Sequence, residues 1–160
     1  MTTFAEYQDP DTIQRVLKHT RNVAIVGLSN NELRASNFVG FYATRHAYNV
    51  IPVNPRETEI MGKKAYPSLL DVEQQVDVVN VFRDPSAVPE IAKQAVEIGA
   101  KALWLQFGVI SHEGAEIARE AGMDVIMDLC FKIEHARYMG RMHWLGFNTG
   151  VITARRVPLG

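Results

Sequence analysis

Apolar and polar positions along this chain alternate between two periods. Short runs rich in β-branched residues, such as "VAIVGL", "VIPV" and "VDVVNVF", alternate with longer segments of helical period. A continuous apolar run of this kind reads as a strand buried on both faces, and the helical stretch as the crossover to a parallel neighbour. The pattern predicts strands at Val23–Leu28, Asn49–Val53, Asp77–Phe82, Ala102–Leu105 and Asp124–Met127, with a short one near Lys64 and Ala65. Helices are expected at Ser36–His46, Ala87–Ile98 and Glu113–Ala121. Ser36 would open the first as N-cap, and Gly99 and Gly122 would close the other two. A leading amphipathic helix about Pro10–His19, within residues 1–20, would cover one side of the sheet. A short helix is expected at Lys132–Tyr138, and residues 139–160 read as a C-terminal arm that is basic and aromatic. The fold class this predicts is α/β: a Rossmann-like doubly wound, mainly parallel sheet of five to six strands with helices on both faces, residues 1–160 forming one domain.

Composition narrows the function classes. Seventeen Lys and Arg against 18 Asp and Glu leave a formal net charge of -1, with no basic block long enough for general nucleic-acid binding. The one cysteine, Cys130, excludes an intrachain disulfide, and the first 20 residues hold no apolar segment of signal-peptide length. The longest apolar runs fall far short of the roughly 20 residues that cross a bilayer. The expectation is a cytoplasmic protein.

Candidate chemistry begins in "NVAIVGLSNNELRASNF". Gly27 ends the first strand and permits a tight turn, while the next helix offers unpaired N–H donors at the positive end of its dipole. Leu28, Ser29, Asn30 and Asn31 continue the turn, Arg34 adds a cation and Ser36 a hydroxyl, a set suited to a pyrophosphate. An NAD site would add two more glycines and an acidic residue about 20 positions on. Here the second strand ends in Asn54, Pro55 and Arg56. A cation in place of the acid suits a ligand with an extra ribose phosphate, which leaves NADP or coenzyme A.

Taken in order, "VAIVGLS", "VIPVNPR", "AYPSLLDV", "VDVVNVFRDPSAVPEI", "GAKALWLQFGV" and "MDLCFKIEHAR" resemble the small single-domain coenzyme A-binding proteins. More loosely they are similar to the coenzyme A-binding domain of the succinyl-CoA synthetase α subunit and of ADP-forming acyl-CoA synthetases. The resemblance covers about Asn22 to Arg137. It implies a Rossmann-like domain with coenzyme A lying across the carboxyl ends of the strands. Gly27, Leu28 and Ser29 then match the phosphate loop, and Arg34 and Ser36 the basic and hydroxyl pair that opens the first helix. Asn54, Pro55 and Arg56 match the "NP" plus basic motif. Val81, Phe82 and Arg83 match the segment beside the nucleotide, and Gln106 ends the next strand in the same crevice. The family's first loop is often richer in proline than "NNELRAS".

Other chemistry is sparse. Cys130 and His135 invite a nucleophile reading, but their spacing favours a buried, inert cysteine with Lys132 and Glu134 as solvated helix charges. No histidine stands at metal-ligand spacing from Cys130, so no metal is expected. The synthetases of the resemblance use a phosphohistidine and an ATP-grasp partner on other domains, and neither occurs here. The chain therefore reads as a module that binds coenzyme A or an acyl-CoA without a recognisable catalytic constellation. Two alternatives stay open: an NADP-dependent oxidoreductase with Tyr42, Tyr66 or His135 as proton donor, and a nucleotide-binding subunit acting in trans with a larger acyl-CoA synthetase. A homodimer is a further partner choice, and Arg83, Lys63 and Lys64 are the next candidates to hold the ribose phosphate should Arg56 act elsewhere.

Overall fold

The computed structural model describes residues 5–140. The arm expected at 139–160 lies, from position 141 on, outside the described residues. The main sheet is built from β1 (Asn22–Val26), β2 (Asn49–Val53), β5 (Val78–Val81), β6 (Ala102–Leu105) and β7 (Asp124–Met127) in the order β2-β1-β5-β6-β7. Every pairing in it is parallel. This is a doubly wound order whose direction reverses between β1 and β5. Crossover helices make it closed on both faces. Helices α1 (Pro10–His19), α2 (Ala35–Arg45) and α5 (Phe131–Tyr138) lie on one side, and α3 (Val88–Glu97) and α4 (His112–Glu120) on the other.

Alternation along each strand explains the two cores. Val23, Ile25, Val78, Trp104 and Ile126 point toward α1, α2 and α5, where they meet Ile13, Leu17, Val39, Ala43 and Phe131. Ala24, Val79, Val81, Leu103, Leu105 and Met127 point the other way, toward Ile91, Ala92, Ala95, Ala115 and Ala118 of α3 and α4. The small residues on those two helices let them approach closely. A Cβ on Gly114 would lie 2.4 Å from Val88 Cγ1. At the amino edge, the Asp77 carboxylate accepts from the N–H groups of Arg21 (3.0 Å) and Asn22 (2.9 Å) and so starts β1 and β5 in register.

Two expectations are corrected. The short strand near Lys64 does not join the main sheet. It forms an antiparallel hairpin of β3 (Glu59–Ile60) and β4 (Lys63–Lys64), turning through Met61 (φ 56) and Gly62 (φ 74). Tyr66 pairs with the main sheet by one parallel bridge to Val53, and Lys63 Nζ of the hairpin donates to Val50 O at 3.2 Å. Ser36 is not the N-cap of α2 either: the helix starts at Ala35, Arg34 takes the cap position without a side-chain cap bond, and Ser36 is buried. Among the described residues no helix is long and apolar enough to cross a membrane.

Helices α2 and α5 meet through a polar contact. Tyr42 Oη and His135 Nδ1 are 2.9 Å apart, and the His46 ring lies 5.0 Å from that of His135. Burial, with the His46 charge behind it, lowers His135 to about 4 from its ordinary value near 6.5. The unfolded chain therefore binds a proton through the window between these values while the folded chain does not. Stability from this neutral histidine is complete above the upper value and is lost as pH falls through the window. Urea titrations should lose roughly 1 to 3 kcal/mol between neutral pH and about 4.5, and His135→Gln should flatten that loss.

Candidate functional site

The turn after β1 crosses the end of β5 at very short range. Gly27 has φ 91 and donates its N–H to Val53 O at 2.8 Å. A Cβ at this position would stand 2.4 Å from the Phe82 carbonyl oxygen and 3.1 Å from Arg83 Cδ. Only glycine meets both conditions without moving backbone. The turn then folds on itself: Ser29 N–H donates to Ser36 Oγ (3.0 Å), Asn31 N–H to Ser29 Oγ (3.0 Å), and Asn37 Nδ2 to Ser29 O (2.9 Å). Gly27, Ser29, Arg34, Ala35, Ser36 and Phe82 line a polar cavity of about 360 Å³ in front of the α2 N-terminus. With no side chain capping that terminus, its first N–H groups and dipole end face the cavity, which suits an anion.

Phe82 and Ala35 also line a second, larger cavity that continues along the carboxyl ends of β5, β6 and β7. It measures about 660 Å³, within the usual range for small-molecule sites of roughly 300 to 1,000 Å³. Its walls are mostly apolar, with Phe107, Val109, Leu129 and Ile133 prominent, while Arg83 and Arg137 bring cations and Gln106 an amide. Polar bonds, two of them buried, fix those walls. Gln106 Oε1 accepts from Asn80 Nδ2 (3.4 Å) and Phe131 N–H (3.3 Å), Trp104 Nε1 donates to Leu129 O (2.8 Å), and Gly108 N–H donates to Asp128 Oδ1 (2.7 Å). The loops after β6 and β7 and the start of α5 are thereby held together.

The residues named from sequence fall into three groups. Gly27, Ser29, Arg34, Ser36, Phe82, Arg83 and Gln106 line this crevice. Leu28 and Val81 are its scaffold, with side chains fully buried in the two cores. Asn54, Pro55, Arg56 and Asn30 are not among the lining residues. Asn54 fastens the β1 turn, donating from Nδ2 to Leu28 O (2.9 Å) and accepting from Arg56 N–H (2.9 Å). Pro55 and Arg56 are exposed at the end of β2. Asn30 donates to Glu57 Oε2 and Glu59 O, so it braces the hairpin loop.

The reading of Cys130 and its neighbours changes most. Cys130 is partly exposed and lines the larger cavity, and Glu134, expected as a solvated charge, is 2% exposed and lines it too. Burial raises the Glu134 carboxyl above the ordinary carboxylate range, opposed by Arg137. Ile133 and Arg137 complete this wall from α5. The sequence signal was present in the apolar and charged positions four apart in "CFKIEHAR", which place Cys130, Ile133, Glu134 and Arg137 on neighbouring helix positions. Asn80, fully buried in the middle of β5, was the other missed residue; a lone polar position inside "VVNVF" marks it. Of the proton donors considered for a reductase, none lines the crevice: Tyr42 and His135 bond to each other, and Tyr66 is buried beneath Lys64. Among the described residues no group of three His, Cys, Asp or Glu could hold a metal ion.

Residues 21–136 match the family model described as CoA binding domain. The chain belongs to that family. An uncharacterized protein of Bacillus subtilis, YneT, is 38% identical over 124 residues, which span 78% of this chain and 92% of that protein. A hypothetical protein from Pyrococcus horikoshii has the same fold, with a TM-score of 0.83, 34% identity and coverage of 88% of this chain and 99% of that one. Acetate–CoA ligase (ADP-forming) I of Archaeoglobus fulgidus is 33% identical over 108 residues, but these make up only 16% of that ligase.

Gly27→Ala should destabilise the protein by about 2 to 4 kcal/mol, since it adds left-handed strain to a backbone collision. Thermal unfolding would show it. Gly62→Ala has a positive φ (74) but open space around the added methyl and should cost about 1 kcal/mol, so comparing the two separates strain from collision.

Proposed function

We propose that this protein binds coenzyme A or an acyl-CoA without catalysing a reaction by itself, and that residues 1–160 act as one domain. The observation that carries this reading is the continuity of the two cavities through Phe82 and Ala35. One end is polar, cationic and set against an uncapped helix terminus; the other is long and apolar. A ligand that fits must join phosphates to an extended arm with little charge, which describes coenzyme A. In this reading the pyrophosphate sits against Gly27, Ser29, Ser36 and Arg34, the adenosine lies toward β2, and the pantetheine arm crosses Phe82 toward Gln106. Arg56, exposed at the end of β2, then takes the extra ribose phosphate.

The same observation disfavours NADP. Its nicotinamide ribose would need hydrogen-bond partners where this crevice is lined by Phe107, Val109, Leu129 and Ile133. A cytoplasmic location goes with the proposal, as does the chain's single free thiol. The ligase relatives support a second reading, in which the domain serves an acyl-CoA ligase in trans. Co-purification with an ATP-grasp protein would favour it.

Calorimetry with coenzyme A, dephospho-coenzyme A, NAD and NADPH tests the proposal. Coenzyme A should bind more tightly than either nicotinamide nucleotide, and equal or stronger NADPH binding would overturn the reading. Coenzyme A should also exceed its dephospho form by about tenfold, a preference that Arg56→Ala removes and added salt weakens. Arg34→Ala should weaken coenzyme A by roughly 1.5 to 3 kcal/mol while leaving the melting temperature nearly unchanged, as expected when an exposed guanidinium loses a charged partner.

A further inference from the structure

The apolar cavity also holds a thiol and a carboxyl that the binding proposal does not use. Cys130 stands at the N-cap position of α5 and lines the cavity with its side chain partly exposed. Glu134 lies one turn on, its N–H donating to Cys130 O at 3.0 Å, so both side chains rise from the same side of the helix. Glu134 is 2% exposed, and its Oε2 accepts no hydrogen bond among the described residues. Its one charged contact there is Arg137 Nη1 at 3.6 Å, beyond hydrogen-bond length. A buried carboxylate oxygen without a donor is costly, and its place in the wall of an open cavity points to a partner supplied from that cavity.

Position across the sheet says which part of the ligand arrives there. The carboxyl ends run β2, β1, β5, β6, β7, with the polar cavity at β1 and the segment that carries Cys130 folded over the end of β6, where Leu129 O accepts from Trp104 Nε1 and Phe131 N–H donates to Gln106 Oε1. A coenzyme A bound by its phosphates at Gly27 and laid along the apolar cavity brings its sulfur end to Cys130. We propose that Cys130 is a thiol-exchange site for the sulfur of bound coenzyme A, with Glu134 accepting the Cys130 proton. This rests on the coenzyme A reading.

The oxidant is a disulfide of coenzyme A. Glu134 takes the proton from Cys130 Sγ, and the thiolate, at the positive end of α5, attacks the nearer sulfur of the disulfide. A Cys130–S–S–coenzyme A bond forms as the original S–S bond breaks. The departing sulfur leaves with the electron pair and takes the proton from Glu134, giving one free coenzyme A thiol. The Cys130 sulfur is oxidised and the leaving sulfur reduced, so nothing further is needed. Arg137, 3.6 Å from Glu134 Oε2, is the cation beside the carboxylate that carries the proton, and Arg83 lines the same cavity.

The test uses the full chain, intact-protein mass spectrometry and coenzyme A disulfide, with glutathione disulfide at equal concentration as comparison. Wild type should gain one coenzyme A by a bond that dithiothreitol reverses, at least tenfold faster than it gains glutathione. Arg34→Ala should lower that ratio, because it weakens the hold on the phosphates far from the thiol. At saturating disulfide, Glu134→Gln should slow adduct formation several-fold near neutral pH, and the deficit should shrink at alkaline pH where hydroxide removes the proton. Calorimetry of reduced coenzyme A on wild type separates the two levels of the argument. Binding without an adduct, or an adduct no faster than with glutathione, overturns the exchange site and leaves the coenzyme A reading standing. Absence of binding overturns that reading as well. An unchanged rate and pH profile in Glu134→Gln overturns the role given to Glu134.

Discussion

The approach of the Gly27 backbone to the Phe82 carbonyl is the contact on which the crevice depends. Strands β1 and β5 are neighbours, yet their chains leave in opposite directions: α2 covers one face, while α3, after β5, covers the other. A gap opens between the departing segments, and a doubly wound sheet binds ligands in such a gap. Its depth is set by how closely the first turn hugs β5. With a Cβ at 27 the turn would have to lift off the Phe82 oxygen, carrying Ser29 away from Ser36 and the α2 terminus with it. One missing methyl group thus couples backbone geometry to the polar, cationic end of the crevice.

The other end depends on polar groups sealed inside the sheet. Asn80 and Gln106 sit on adjacent strands, and their amides reach Trp104 O and the N–H of Phe131. Each such bond nets only about 0.5 to 1.5 kcal/mol, but leaving a buried partner unmade costs more, so the set resists partial opening. That is its use here. Phe131 opens α5, and fixing its N–H fixes the positions of Cys130 before it and Glu134 after it. The sheet therefore positions a cavity wall through hydrogen bonds made within the protein.

Much of this was legible in the sequence, and the legible parts share a cause. The five main strands and their crossover helices follow from local period and from glycines such as Gly99 and Gly122, which close α3 and α4 with φ of 74 and 86. The first turn was legible because its chemistry is local, with Gly27, Ser29, Arg34 and Ser36 within ten residues of one another. Ser36 was given the wrong job, since a hydroxyl near a helix start suits a cap equally well as a bond from the preceding loop. The hairpin at Glu59–Lys64 was misplaced because two-residue strands carry no period. Cys130 and Glu134 were misread for a different reason: they share a cavity with Phe82, Gln106 and Phe107, which are distant in sequence, and spacing along one helix cannot report that. Asn54 shows what spacing leaves out, since its side chain also fastens the first turn through Leu28 O and Arg56 N–H.

Charge completes the account of what the crevice selects. The whole chain carries a formal net charge of -1, so no long-range field draws anions to it at large. The crevice differs. Arg34, Arg83 and Arg137 line it, against Glu134 as a lining carboxylate, and Arg34 and Arg83 form no ion pair among the described residues. Cations left unpaired beside low-dielectric walls focus the potential, so attraction is confined to the cleft and to ligands that can enter it. The apolar half then acts as a filter on what the charge has gathered. Inorganic phosphate or a simple nucleotide satisfies Arg34 and the α2 terminus but leaves Phe107, Val109 and Leu129 in contact with water. In the proposed reading, a ligand with phosphates at one end and an uncharged arm at the other gains from both halves, and its selection follows from joining two surfaces that are each unselective alone.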